Sequence, residues 1–261
     1  MSSVALRTSN PALRDSVFRE ASQDLVQSAS VMTIQGTAVK SLVLVGILLV
    51  TAAFTWSQTL AGGTAEGPAI NSAGIPYVLG GAIAGFILAI ITTFAPKASP
   101  YTAPLYAAAE GLFLGGISAI FESMYQGIVL QAVGLTIGTL VMLLAVYATG
   151  LVKVTQGFRA GVIAATGAVC LVYLVSMILG FFGKGVPFIQ GSGIVSIGFS
   201  VVVVIIASLN LVLDFDLIST QAQRGAPKYM EWYCGFGLLV TLVWLYLEIL
   251  KLLAKLADRR S

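Results

Sequence analysis

The sequence contains no histidine, and that absence alone removes several chemistries. There can be no Ser-His-Asp triad, no HExxH zinc site and no imidazole switching its charge near neutral pH. Cysteine is almost as scarce. Cys170 and Cys234 lie in different apolar runs at no metal-ligand spacing, which argues against both a zinc site and a disulfide framework. Charge is thin as well: Asp, Glu, Lys and Arg make up 10% of the 261 residues, against about 25% in a soluble domain. The net charge of +3 is small and no basic stretch is interleaved with aromatics, so no nucleic-acid partner is expected. A GxSxG elbow and a GxGD motif are both missing, so no enzymatic activity and no cofactor are expected.

Apolar side chains are what the chain has in plenty. They make up 57% of it, and the mean hydropathy is +0.95. That share is about 149 residues, and seven spans of about 20 residues would use about 140 of them. Charge-free intervals draw the spans. Ser41–Phe94 holds a single charge, Glu66, while Ser123–Val152, Ala160–Gly183, Gly185–Leu213 and Trp232–Leu247 hold none. The Gly/Ala/Ser/Thr-rich stretch Ser57–Pro76 splits the first interval. The pattern predicts helices near 40–57, 75–95, 103–123, 127–150, 160–183, 190–219 and 230–253, forming an all-α integral membrane bundle of seven helices. The runs are continuous and do not alternate, which excludes a β-barrel. All eight prolines are expected in tails, loops or first helical turns, where a missing N–H costs little.

Residues 1–39 carry six charges and no apolar core of a signal peptide, so they read as a tail ahead of the 40–261 membrane domain. Within it Asn10-Pro11 resembles a helix start, and Leu13, Val17, Ala21 and Leu25 recur at i+4. A short amphipathic helix on the membrane surface and a partly disordered tail are both compatible with this. Lysine and arginine set the orientation. With the N-terminus in the cytoplasm, the inner segments hold Arg7, Arg14, Arg19, Lys40, Lys97, Lys153, Arg159, Arg224 and Lys228, and the outer loops hold only Lys184. The exception is Lys251, Lys255, Arg259 and Arg260, which seven spans place outside. Either the late tail escapes the rule or the last segment re-enters the membrane, and seven full spans are the preferred reading. The expected location is the plasma or inner membrane. Three GxxxG pairs, Gly81/Gly85, Gly111/Gly115 and Gly134/Gly138, suggest close helix contacts within one bundle, the chain being read as a monomer.

An ionisable residue inside a span is costly and points to function by default. Glu110 sits about eight residues into helix 3, roughly 10 Å from the inner boundary at 1.5 Å per residue. Asp214 and Asp216 lie near the inner end of helix 6, at a similar or slightly shallower depth. These two aspartates are about 200° apart around the helix, so they cannot share a face. Asp214 stacks one turn from Asn210 and is assigned to the interior, leaving Asp216 nearer the headgroups. Glu248, on the opposite leaflet, reads as an i,i+3 partner of Lys251. Two carboxyls in a low-dielectric interior disfavour joint ionisation, so Glu110 and Asp214 could share a proton or, when ionised, bind a cation. Calcium wants six to eight oxygen ligands, so the pair would hold it only weakly and no tight metal site is expected. Lys40, at the inner end of helix 1, is the candidate basic partner for Asp214 or Asp216, and an interfacial anchor is its other reading.

Two segments carry a resemblance. Residues 103–118, Ala-Pro-Leu-Tyr-Ala-Ala-Ala-Glu-Gly-Leu-Phe-Leu-Gly-Gly-Ile-Ser, and residues 208–216, Ser-Leu-Asn-Leu-Val-Leu-Asp-Phe-Asp, resemble the transmembrane Bax-inhibitor-motif family in its bacterial branch. The likeness runs from about Met32 to the end of the chain. It implies six helices around a central seventh, and a pH-sensitive cation leak, chiefly of calcium, gated by paired acids on helices 6 and 7. Asp214 falls on the helix 6 acid. Where relatives place the helix 7 acid, this chain has Phe236-Gly-Leu-Leu-Val-Thr241, with no carboxyl; either Glu110 supplies the missing acid from helix 3 or the conduction and gating are lost. Two other classes stay open: a non-conducting stress scaffold that binds membrane proteins, and a secondary transporter, although no half-to-half repeat is visible.

Overall fold

The computed structural model describes residues 31–60, 71–183, 189 and 191–259. Among them seven helices are long and apolar enough to cross a membrane. We number them α1 (Ile34–Leu60), α2 (Ile75–Phe94), α3 (Ser99–Met124), α4 (Ile128–Ala148), α5 (Gln156–Phe181), α6 (Ile194–Gln223) and α7 (Met230–Asp258). The fold is an all-α membrane bundle of seven helices. The N-terminal amphipathic segment predicted around residues 11–25, Lys184 and Arg260 lie outside the described residues.

Helix α7 is the organising element. It packs on α1, α3, α4 and α6, and the Tyr173 hydroxyl of α5 reaches it at Glu248, 2.9 Å away. Leu239, Val243, Leu245, Ile249 and Leu250 of α7 are buried in the main apolar core with Leu44 and Leu48 of α1, Tyr106 and Leu114 of α3, and Leu211 and Phe215 of α6. Helix α2 lies to one side, packed mainly on α3. The bundle's outer faces are apolar: Val50, Phe86, Leu130 and Val195 stand exposed on four different helices, as expected of side chains that face lipid. Because lipid is as apolar as leucine, close packing and polar links hold the helices together. One such link joins the Ser118 and Tyr246 hydroxyls at 2.6 Å, and another runs from the Asn210 amide to the Thr166 hydroxyl at 2.8 Å.

The glycine pairs divide. A Cβ on Gly81 would meet the backbone of Ala109 and Phe113, and one on Gly111 or Gly115 would meet the carbonyl oxygens of Leu48 or Ala52. These glycines let α2 and α1 lie against α3. Gly134 and Gly138 have nothing within 4 Å of where a Cβ would be, so the third GxxxG pair makes no helix contact. Its face of α4 is open.

Several boundaries differ from the sequence reading, three of them with consequences. Helix α1 begins at Ile34, ahead of the expected 40, because the Thr33 hydroxyl accepts the Gly36 N–H at 2.9 Å and caps the first turn. Helix α3 begins at Ser99, so Pro104 lies inside a helix and not in a first turn. The cost is small there, since the carbonyl that loses its partner belongs to Pro100 in the opening turn. Helix α7 runs unbroken over 29 residues, which removes the re-entrant alternative for the last segment.

The ends of the bundle are tied differently. At the end carrying the 224–229 loop, here called proximal, the Met32 N–H donates to the Ala226 carbonyl at 2.7 Å and Val31 bridges Pro227. The Ser99 hydroxyl donates to the Tyr229 carbonyl at 3.0 Å, bringing the start of α3 to the same place. At the distal end the Lys255 ammonium donates to the Ile189 carbonyl and the Ser200 hydroxyl, both at 2.8 Å. Lys251 pairs with Glu248 at 2.7 Å, as the i,i+3 spacing predicted. The positive charges that offended the loop count are thus partly consumed inside the fold.

Candidate functional site

Asp214 is placed by the register of α6. Leu211, Phe215 and Ile218 bury one side of the helix, which turns the Asp214 side chain toward α7. There it borders a cavity of about 160 Å³, lined by Asp214, Leu217 and Ile218 of α6 and by Tyr233, Cys234, Phe236 and Gly237 of α7. A space of that size with a carboxyl on its wall has room for several waters. The Asp214 Oδ2 atom is buried and makes no protein hydrogen bond. An unpartnered buried carboxyl oxygen costs free energy unless water or an ion reaches it. Thr241 of α7 also faces this carboxyl.

Asp216 goes elsewhere, as the 200° rotation required. Its carboxylate accepts the Arg159 guanidinium of α5 at 2.6 Å on the half-exposed flank of the bundle. Asn210 shares the Asp214 side of α6 but spends its amide on Thr166 and on the Ile206 carbonyl, each at 2.8 Å. It is a helix tie between α5 and α6.

Glu110 lies at the α2–α3 contact. Its carboxyl is met by the Tyr106 hydroxyl one turn earlier and lies against Gly85, where a Cβ would come within 3.0 Å of Oε2. No hydrogen bond joins Glu110 to Asp214 among the described residues, so the two acids do not form the direct pair expected from their similar depth. The connection runs through aromatic rings. Tyr106 packs edge-on against Phe236, centroids 4.9 Å apart, and Phe236 lines the Asp214 cavity.

Lys40 is also reassigned. Its ammonium sits 2.8 Å from the carboxylate of Glu231, not on Asp214 or Asp216. Glu231, in the first turn of α7, is fully buried and is also held by Lys228 at 2.9 Å and by the Thr33 N–H and hydroxyl at 3.0 Å each. The sequence reading passed over Glu231 because it borders a charge-free interval instead of interrupting one. Its i,i+3 spacing to Lys228 was the available signal, and the fold adds Lys40 and Thr33 from the far end of the chain. A Cβ on Gly36 would overlap the Glu231 carboxylate, so glycine is required where α1 crosses it.

A family model described as Bax inhibitor 1 like matches residues 10–258. The chain belongs to that family. Neither a curated protein nor a solved structure matches it. The acid that α7 does bring to the proximal end, Glu231, is already neutralised by two lysines and does not line the Asp214 cavity. Across the α6–α7 groove Asp214 faces the Thr241 hydroxyl and the Cys234 thiol.

Proposed function

We propose that this Bax inhibitor 1 like protein is a pH-sensitive cation leak of the plasma or inner membrane, with calcium among its permeant ions and the N-terminus in the cytoplasm. One observation carries the reading: an unpartnered carboxyl oxygen borders a cavity between two helices, inside a membrane-spanning bundle toward its proximal end. Ionised, Asp214 attracts a cation into that space. Protonated, it loses that attraction and the groove can close. With so few oxygens present, a bound calcium ion would keep most of its water, so binding would be weak and passage favoured over storage. Glu110 acts at a distance, through Tyr106 and Phe236, by setting how the Phe236 wall of the cavity is held.

A scaffold function has one observation in its favour. Among the described residues Glu231 and Glu248 are the most deeply buried carboxylates, and both are paired with lysines and serve the fold. If Asp214 is equally structural, the protein conducts nothing and binds membrane-protein partners. Purified protein in liposomes decides between the two. Calcium and monovalent cation flux that changes with pH supports the leak, and no flux between about pH 5 and 8 supports the scaffold.

A further inference from the structure

A residue that lies before the first helix packs against the wall of the Asp214 cavity. Met32 is 2% exposed and forms a small apolar cluster with Ile218 and Cys234, both of which line the cavity. A methionine seated there fills the groove between α6 and α7 with a flexible apolar side chain suited to irregular gaps. Its backbone is fastened on both sides. The Met32 N–H donates to the Ala226 carbonyl at 2.7 Å, and the next residue, Thr33, gives both its N–H and its hydroxyl to Glu231 at 3.0 Å. Glu231 is in turn fixed by Lys40 of α1 and Lys228 of the preceding loop.

This ion cluster is larger than the fold needs at a helix start. A first-turn acid is satisfied by backbone N–H groups and water, whereas Glu231 is withdrawn from solvent and given a residue from the chain's other end to hold. The held residue is the neighbour of the one that packs against the cavity wall. We infer that Met32, fastened through Thr33 to Glu231, is the plug of the Asp214 cavity, and that Glu231 is a positioning residue for it. The plug rests on geometry alone. Only its effect on ion flux depends on the leak proposed above. The titratable and charged groups bearing on it are Lys40 and Lys228 around Glu231, and Asp214, Tyr233 and Cys234 around the cavity.

Cys234 is a native reporter, since it is buried on the cavity wall against Met32 while Cys170 is exposed. In a Cys170→Ser background, the rate at which a small methanethiosulfonate reagent modifies Cys234 reads access to the cavity. Met32→Ala should lower Tm, as loss of a buried side chain does, yet raise that rate about tenfold or more at temperatures where the protein is still folded, and Met32→Leu should stay near the parent. Thr33→Val, which keeps both ion pairs, and Glu231→Gln should each raise it by a smaller factor. If Glu231→Gln fails to fold, Thr33→Val and Lys228→Gln carry the same question at milder cost. An unchanged rate in both Met32→Ala and Thr33→Val would overturn the plug. Flux separates the two claims. Faster Cys234 modification together with higher, less pH-dependent flux supports both. Faster modification with no flux at any pH supports the plug and removes the leak.

Discussion

Asp214 and Glu231 are both acids near the proximal end of the bundle, yet their surroundings assign them opposite work. Glu231 has two lysines and two Thr33 donors, while Asp214 keeps one buried oxygen with no protein partner. The contrast orders the effect of neutralising each acid. Glu110→Gln should shift the midpoint of the flux–pH curve or weaken cation selectivity, because it acts only through Tyr106 and Phe236. Asp216→Asn should leave the curve nearly in place, since it breaks a flank ion pair with Arg159 that is half open to solvent and is worth at most about 1 kcal/mol. A flux–pH curve measured for each variant checks the order. Abolition by Asp216→Asn alone would show that the wrong face of α6 was assigned. The sequence revealed this much because helical rotation separates residues 214 and 216 whatever surrounds them. It could not reveal the partner of Lys40, since Thr33, Lys40 and Glu231 meet only through long-range packing of α1 on α7.

Helix contacts were partly legible from the glycines. The GxxxG spacing marked three candidate faces, but spacing alone does not say whether another helix arrives. Gly115 has the Ala52 carbonyl where its Cβ would be, and Gly138 has open space. Gly115→Ala should therefore destabilise the protein by about 1–3 kcal/mol through overpacking. Gly138→Ala should be neutral or add up to about 1 kcal/mol through helix propensity. Unfolding of the purified variants in mixed detergent measures both. The distal end of α7 offers a second contrast. Glu248 is 1% exposed, with Lys251 and the Tyr173 hydroxyl as its partners. Tyr173→Phe should cost about 1–3 kcal/mol by removing a hydrogen bond to a buried carboxylate. Lys251→Met should cost more in the same unfolding assay, because it leaves that carboxylate without its cation. The i,i+3 spacing predicted the Lys251 pair. The depth of its burial and the reach of Tyr173 from α5 had no sequence signal.

For the whole molecule, composition and charge-free intervals were enough to recover seven spans and an all-α bundle, because the bilayer allows a long apolar run few other structures. The central place of α7 came only from the family resemblance, since every span is apolar and hydropathy does not rank them. Orientation is a separate claim that rests on loop charge. It predicts that Gln223→Cys, at the proximal end, reacts only with a permeant thiol reagent in intact cells, whereas Gln126→Cys, at the distal end, reacts with an impermeant one. The reverse pattern would place the Asp214 end of the bundle outside.

The central claim is that Asp214 makes cation passage depend on pH. Its most direct test compares wild type with Asp214→Asn, which keeps the side chain's shape and removes its charge. Both proteins would be purified, reconstituted at equal density in liposomes loaded with a calcium dye, and followed from about pH 5 to 8. The account predicts calcium flux that varies with pH in the wild type and is nearly flat in Asp214→Asn, with both proteins equally folded. A wild-type pH response that persists unchanged in Asp214→Asn would contradict it.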